Sequence, residues 1–128
     1  EGEYISTAKR IASAAIDHLS DDNGILHDLH EPNLGADGPQ FKGVFMRNLY
    51  TLYTVTNEDR FKQYIQRNAQ SIWDNARDEK TGVLGPVWSG PYKEASAASH
   101  SSAMDALVAA AAVERKSVEY IGHRVSVL

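Results

Sequence analysis

The sequence predicts an all-α fold in which outer and inner helices alternate as two hairpins. Three observations lead there. Four segments repeat their apolar residues at the helical period. The apolar residues form one stripe in the first and third segments but wrap most of the circumference in the second and fourth. No strand signal stands outside the connections, where Gly24-Ile25-Leu26 and Val83-Leu84 read as short extended pieces.

The first helix is expected over 4–19. Tyr4, Ile5, Ala8, Ile11, Ala12, Ala15, Ile16 and Leu19 share one stripe, while Lys9, Arg10, Ser13 and Asp17 lie outside or beside it. One stripe means one buried face. Asp21-Asp22-Asn23-Gly24 then stops the helix with turn chemistry.

The second helix is expected over 39–55, with Pro39 in its first turn and Asp37 or Gly38 as cap. Phe41, Val44, Phe45, Met46, Leu49, Tyr50, Leu52, Tyr53 and Val55 leave only a narrow polar strip of Gln40, Gly43, Arg47, Thr51 and Thr54. Such a helix is buried on several sides. The third helix, 57–76, is capped by Thr56 with Asp59 three residues on. Its stripe is Phe61, Tyr64, Ile65, Ala69, Ile72, Trp73 and Ala76, which puts Trp73 in the core. The fourth, 99–115, starts among serines, with Ser102 and Asp105 as a capping-box variant. From Ala103 to Val113, Asp105 is its only polar residue. Residues 116–128 read as a docking strand or a last helical turn.

At 128 residues the chain has the length of one ordinary domain. With 42 % hydrophobic and 23 % charged residues it is globular and not disordered. A net charge of −4 argues against a strongly basic nucleic-acid or membrane-surface binder, so neither partner is expected. The longest apolar run, Ala106 to Val113, falls far short of the roughly 20 residues of a membrane span. Glu1-Gly2-Glu3 opens directly onto a helix pattern, so no leader is expected there. Cysteine is absent, which excludes disulfides and thiolate metal sites. No cofactor is expected.

The alternation of helix faces fits an (α/α)6 toroid. Four segments carry a more specific likeness. Phe41-Lys42-Gly43-Val44-Phe45-Met46-Arg47-Asn48-Leu49 resembles the Phe-Lys-Gly-x-x-x-Arg-x-Leu segment of glycoside hydrolase family 76, the endo-α-1,6-mannanases. Residues 67–77 resemble that family's following outer helix, and Trp88-Ser89-Gly90-Pro91 its Trp-x-Gly-Pro loop. Residues 97–107 are similar to its last inner helix. Order and spacing agree over roughly 4–115. The resemblance implies the C-terminal part of a toroid, about two of its six hairpins. It implies cleavage of α-1,6-mannosidic bonds by an aspartate pair in a tryptophan-rich motif upstream, and a secreted or cell-envelope setting. Asp21-Asp22 is not that motif, because Asn23-Gly24 follows and no tryptophan is near. No catalytic residue is therefore expected in this chain, and the chain alone is expected to be inactive.

A glycosidase needs two carboxyl groups flanking the scissile bond, so the residues here are read as supporting ones. Lys42 lies on the apolar side of its helix among Phe45, Met46, Leu49 and Tyr53. A lysine there needs a water-filled opening or an anionic partner. It is the first substrate-cleft candidate. Trp88 and Tyr92, bracketed by Gly85-Pro86 and Gly90-Pro91, offer aromatic faces to a sugar ring. Glu31 falls where the family likeness puts an acidic residue. Asp37 is a cap or a cleft carboxylate, and His100 a further cleft candidate. Arg47 and Asp105 are read as a structural ion pair. His27 and His30 have metal-ligand spacing but neither helical register nor a fixed third ligand, so no metal site is assigned.

Two other classes compete. One is a non-catalytic oligomerising or carbohydrate-binding remnant of the fold. The other is a helical interaction module unrelated to sugar. All-round apolar inner helices also predict exposed apolar surface, covered by self-association, by a missing N-terminal part or by swapped elements.

Overall fold

The computed structural model describes the backbone of residues 2–127 and the side chains of 2–115. Among the described residues there are four α-helices: α1 (Glu3–Leu19), α2 (Phe41–Thr56), α3 (Asp59–Asn75) and α4 (Ala97–Val127). A 3-10 turn, Gly38–Gln40, leads into α2. Among the described residues there is no strand, only two isolated antiparallel bridges, Ser20 with Leu26 and Arg77 with Leu84. They fall on the two segments expected to be extended. None of the helices is long and apolar enough to cross a membrane, among the described residues.

The two bridges belong to one repeated frame. After α1, Asp21 N donates to Ile25 O (3.0 Å) and His27 N to Leu19 O (2.8 Å). After α3, Asp78 N donates to Val83 O (2.9 Å) and Gly85 N to Ala76 O (2.7 Å). Gly24 and Gly82 take left-handed φ values of 78° and 76° in the two turns, where a side chain would be strained. Leu26 and Leu84 then point inward and are nearly fully buried.

The core lies between the inner helices and α3. Met46, Leu49, Phe61, Ile65, Ile72, Trp88, Ala106 and Val113 are among its buried members. The small residues of α4 let α2 come close: Gly43 N donates to Ser102 Oγ at 2.8 Å. A Cβ at Gly43 would stand 2.7 Å from Ser102 backbone atoms. Asn68, fully buried, accepts from Leu26 N (2.9 Å) and donates to Tyr64 O (3.0 Å) and Gly24 O (3.3 Å).

Several expectations need correction. Trp73 is half-exposed and not core. It sits at the edge of the α3 stripe, with Arg77 Cζ 4.1 Å from its ring centre. Tyr4 and Ile11 are exposed, because the stripe of α1 is wider than the surface that covers it. The inner helices are not buried all round: Phe41, Val44 and Val55 on α2 and Met104 and Val108 on α4 are exposed. The caps also differ. Thr56 ends α2 and does not cap α3, whose N-cap is Glu58 without a side-chain bond. Ser96 and Ser99 form the reciprocal cap of α4, Ser99 N to Ser96 Oγ (3.1 Å) and Ser96 N to Ser99 Oγ (2.8 Å). Ser102 is freed to bind Gly43. The backbone of α4 continues through Val127, past the expected end at 115. The side chains of the tail 116–128 lie outside the described residues.

Candidate functional site

Lys42 lies in the first turn of α2 and is 5 % exposed. Burial on this scale requires its charge to be met. Lys42 Nζ donates to Glu31 Oε1 (2.5 Å) and to Pro86 O (2.7 Å), and stands 4.5 Å from the centre of the Trp88 ring. One ammonium group thus ties the α1–α2 connection, the start of α2 and the α3–α4 connection together. The anionic partner expected for Lys42 is Glu31. Burial lowers the Lys42 pKa, and Glu31 only partly offsets that.

Glu31 is itself held from two sides. Its Oε1 also accepts from Asp28 N (3.1 Å), and its Oε2 lies 2.6 Å from His27 Nδ1. His27 Nε2 lies 3.0 Å from Asp21 Oδ2. Asp21 accepts from the backbone N–H groups of Asn23 and Ile25 through Oδ1. The result is a line of polar groups, Asp21–His27–Glu31–Lys42. Burial works to raise the Asp21 pKa, yet its backbone and His27 hydrogen bonds prevail and lower it. Burial likewise works to lower that of His27, yet the bonds and charges of Asp21 and Glu31 prevail and raise it.

Beside this line lies a cavity of about 250 Å³. Leu19, Leu26, Phe41 and Phe45 form its apolar wall; His27, Asp28, His30 and Lys42 form its polar edge. Every lining residue belongs to the first hairpin. Each nitrogen of His27 already faces a carboxylate, and among the described residues no group of three or more His, Asp or Glu is arranged to hold a metal ion.

The other candidates do not converge on this cavity. Trp88 is fully buried, so its ring has no free face for a sugar and serves as packing and as a platform for Lys42. That corrects its sugar-contact reading. Tyr92 borders a different hollow with Asp74, Arg77 and Pro91, and its hydroxyl accepts from Ala95 N (3.3 Å). Asp37 is exposed and makes no side-chain cap; its backbone carbonyl accepts from Gln40 N (3.0 Å). His100 Nδ1 accepts from Leu84 N (3.0 Å), which fixes the second connection to α4. Arg47 Nε lies 3.4 Å from Asp105 Oδ2 at the α2–α4 contact. Sequence reasoning did not assign His27 to the line or Phe41, Phe45 and Asp28 to the cavity. His27 and Asp28 lie in a loop, which carries no period that reports such contacts, whereas Phe41 and Phe45 flank Lys42 on α2, where the helix period could have found them.

A class follows from this architecture: an all-α chain of alternating outer and inner hairpins, part of an α/α toroid, with a charged line, buried at its Glu31–Lys42 end, where its connections meet. No family model and no curated protein matches the sequence. Two solved structures do match. The Lin0763 protein from Listeria innocua is 26 % identical with a TM-score of 0.80, over 91 % of this chain and 32 % of that one. The GH76A α-1,6-mannanase from Salegentibacter sp. HEL1_6 is 24 % identical with a TM-score of 0.72, over 87 % of this chain and 33 % of that one. The chain spans about a third of the length of both. In fold the chain is similar to part of each of these two structures.

Proposed function

We propose that this chain is the C-terminal portion of a glycoside hydrolase acting on α-1,6-mannan or related α-mannosides. In this reading it supplies a wall of the substrate cleft, and the catalytic aspartate pair lies in sequence upstream. The observation that supports it most is the position of the Glu31–Lys42 pair. The pair is buried, and its Lys42 borders a cavity at the N-terminal end of an inner helix and lies in a segment that resembles the mannanase family. Lys42 and Glu31 set the shape of that wall. Tyr92, Asp37 and His100 are more distant contributors to substrate contact. The test compares the whole gene product with this chain on α-1,6-mannan. New reducing ends are expected from the longer protein and none from the chain alone. Hydrolysis by the chain alone would overturn the assignment of catalysis to other sequence.

A second reading is a non-catalytic, self-associating or carbohydrate-binding remnant of the fold. The exposed Phe41, Val44, Met104 and Val108 favour it, since apolar helix faces of this kind mark association surfaces. Light scattering on the isolated chain is expected to give a mass above that of the monomer. A monodisperse monomer that binds no mannan would remove this reading.

A further inference from the structure

His27 carries an inference that needs no carbohydrate and goes beyond the proposed function. Its two ring nitrogens face two different carboxylates, Glu31 at 2.6 Å and Asp21 at 3.0 Å. A neutral imidazole has one N–H and one bare lone pair. In either tautomer one nitrogen would turn its lone pair on a carboxylate oxygen that has no proton to give. Only the imidazolium donates to both.

The charges around it favour the same state. From its own connection, Asp21, Asp28 and Glu31 are acidic and His30 is exposed to solvent. From α2, Lys42 is already spent on Glu31 and Pro86. From α3, Arg67 packs on Gly24, and the Tyr64 hydroxyl bonds Ser20 (2.7 Å). The line Asp21–His27–Glu31–Lys42 holds two carboxylates against one lysine, so a positive charge on His27 balances it.

We propose that His27, in its charged form, is the clasp that positions the Glu31–Lys42 pair, so that loss of its proton loosens the first connection and the cavity beside it. His27 is a positioning residue here. It reaches Lys42 only through Glu31, and Lys42 in turn lies over Trp88. Asp28 and His30, which border the cavity, lie between His27 and Glu31, so they move with the clasp.

The test follows the imidazole nitrogens of the labelled chain by NMR from about pH 5 to about pH 9. His27 is expected to keep both protons past its ordinary value of 6.5. Glu31→Gln is expected to lower its midpoint. In a Trp73→Phe background Trp88 is the remaining tryptophan, and its emission should step at the His27 midpoint. His27→Gln, which keeps one donor, should abolish that step. A single neutral tautomer of His27 at about pH 5.5, or Trp88 emission that stays flat while His27 titrates, would overturn the proposal. Both of those readings come from chains that retain His27, so they stand even where His27→Gln fails to fold.

Discussion

The connection from α1 to α2 and the one from α3 to α4 share a hydrogen-bond frame but differ in what fills it. In the first, the space under the loop holds charge: Asp21, His27, Glu31 and, from α2, Lys42. In the second it holds an indole, Trp88, and the next helix is secured by the serines 96 and 99. The frame is backbone geometry and tolerates either filling. The filling decides where chemistry can sit. A buried charge must be answered by other charges, and each answer recruits another residue. A buried ring only needs volume.

The largest effects should come from emptying each filling. Glu31→Ala leaves the Lys42 charge buried without its partner and is expected to cost about 3–5 kcal/mol in denaturant unfolding. Trp88→Ala leaves a cavity and also removes the platform under Lys42, at about 3–5 kcal/mol. The contrast sharpens in rescue. Glu31→Leu with Lys42→Met should recover most of the first loss, since an apolar pair replaces a buried ionic one with little penalty. No charge substitution should recover the second. Equal rescue at both sites would show that the two fillings are the same kind of packing.

Gly43→Ala tests the contact that brings α2 and α4 together. The added methyl meets Ser102 backbone, which cannot turn away, so a loss of about 1–3 kcal/mol is expected. The pH response comes next and centres on the first connection, although Asp78 in the second is also lowered, by the Thr81 hydroxyl and the Lys80 N–H, and adds to the acid side. Asp21 is lowered by folding, so its contribution is in place above 3.8 and is lost as pH falls through its folded value. His27 is raised, so its contribution is in place below 6.5 and is lost as pH rises through its folded value. Unfolding midpoints should therefore be highest between those limits. Asp21→Asn should shrink the acid side of that profile and leave the part that Asp78 supplies.

Ser96→Ala removes the hydroxyl that accepts from Ser99 N, one of the two bonds of the reciprocal cap, and should cost about 1 kcal/mol. Asp37→Ala, before α2, should cost less than about 0.5 kcal/mol, because its carboxylate makes no cap. Trp73→Ala should lose less than about 1 kcal/mol, far below its counterpart Trp88.

The helices and their alternation were legible because periodicity reports which side of a helix is covered. Lys42 was legible for the same reason: a charge on an apolar face demands a partner. Which partner was less so, since Glu31 comes from a loop without period. The two tryptophans show the limit most sharply. Trp73 is adjacent to the fully buried Ile72, and a stripe gives a direction without a width. Trp88 sits in a loop, where only the tertiary fold decides burial. The serines before α4 offered several workable caps, and Ser102 was claimed by Gly43 of another helix. Tyr4 and Ile11 were read as buried because a sequence shows a stripe and not the size of what lies against it.

The repeated frame has a further use as a ruler. Each outer helix ends on a short signature, an aspartate followed by glycine, a branched aliphatic residue and leucine, as in 21–26 and 78–84. The aspartate turns the chain, the glycine permits the turn, and the leucine anchors the return. Any adjoining stretch of polypeptide built from the same hairpins should carry this mark at the end of each outer helix. Hairpins can then be counted, and their boundaries drawn, from sequence that shares little else with this chain.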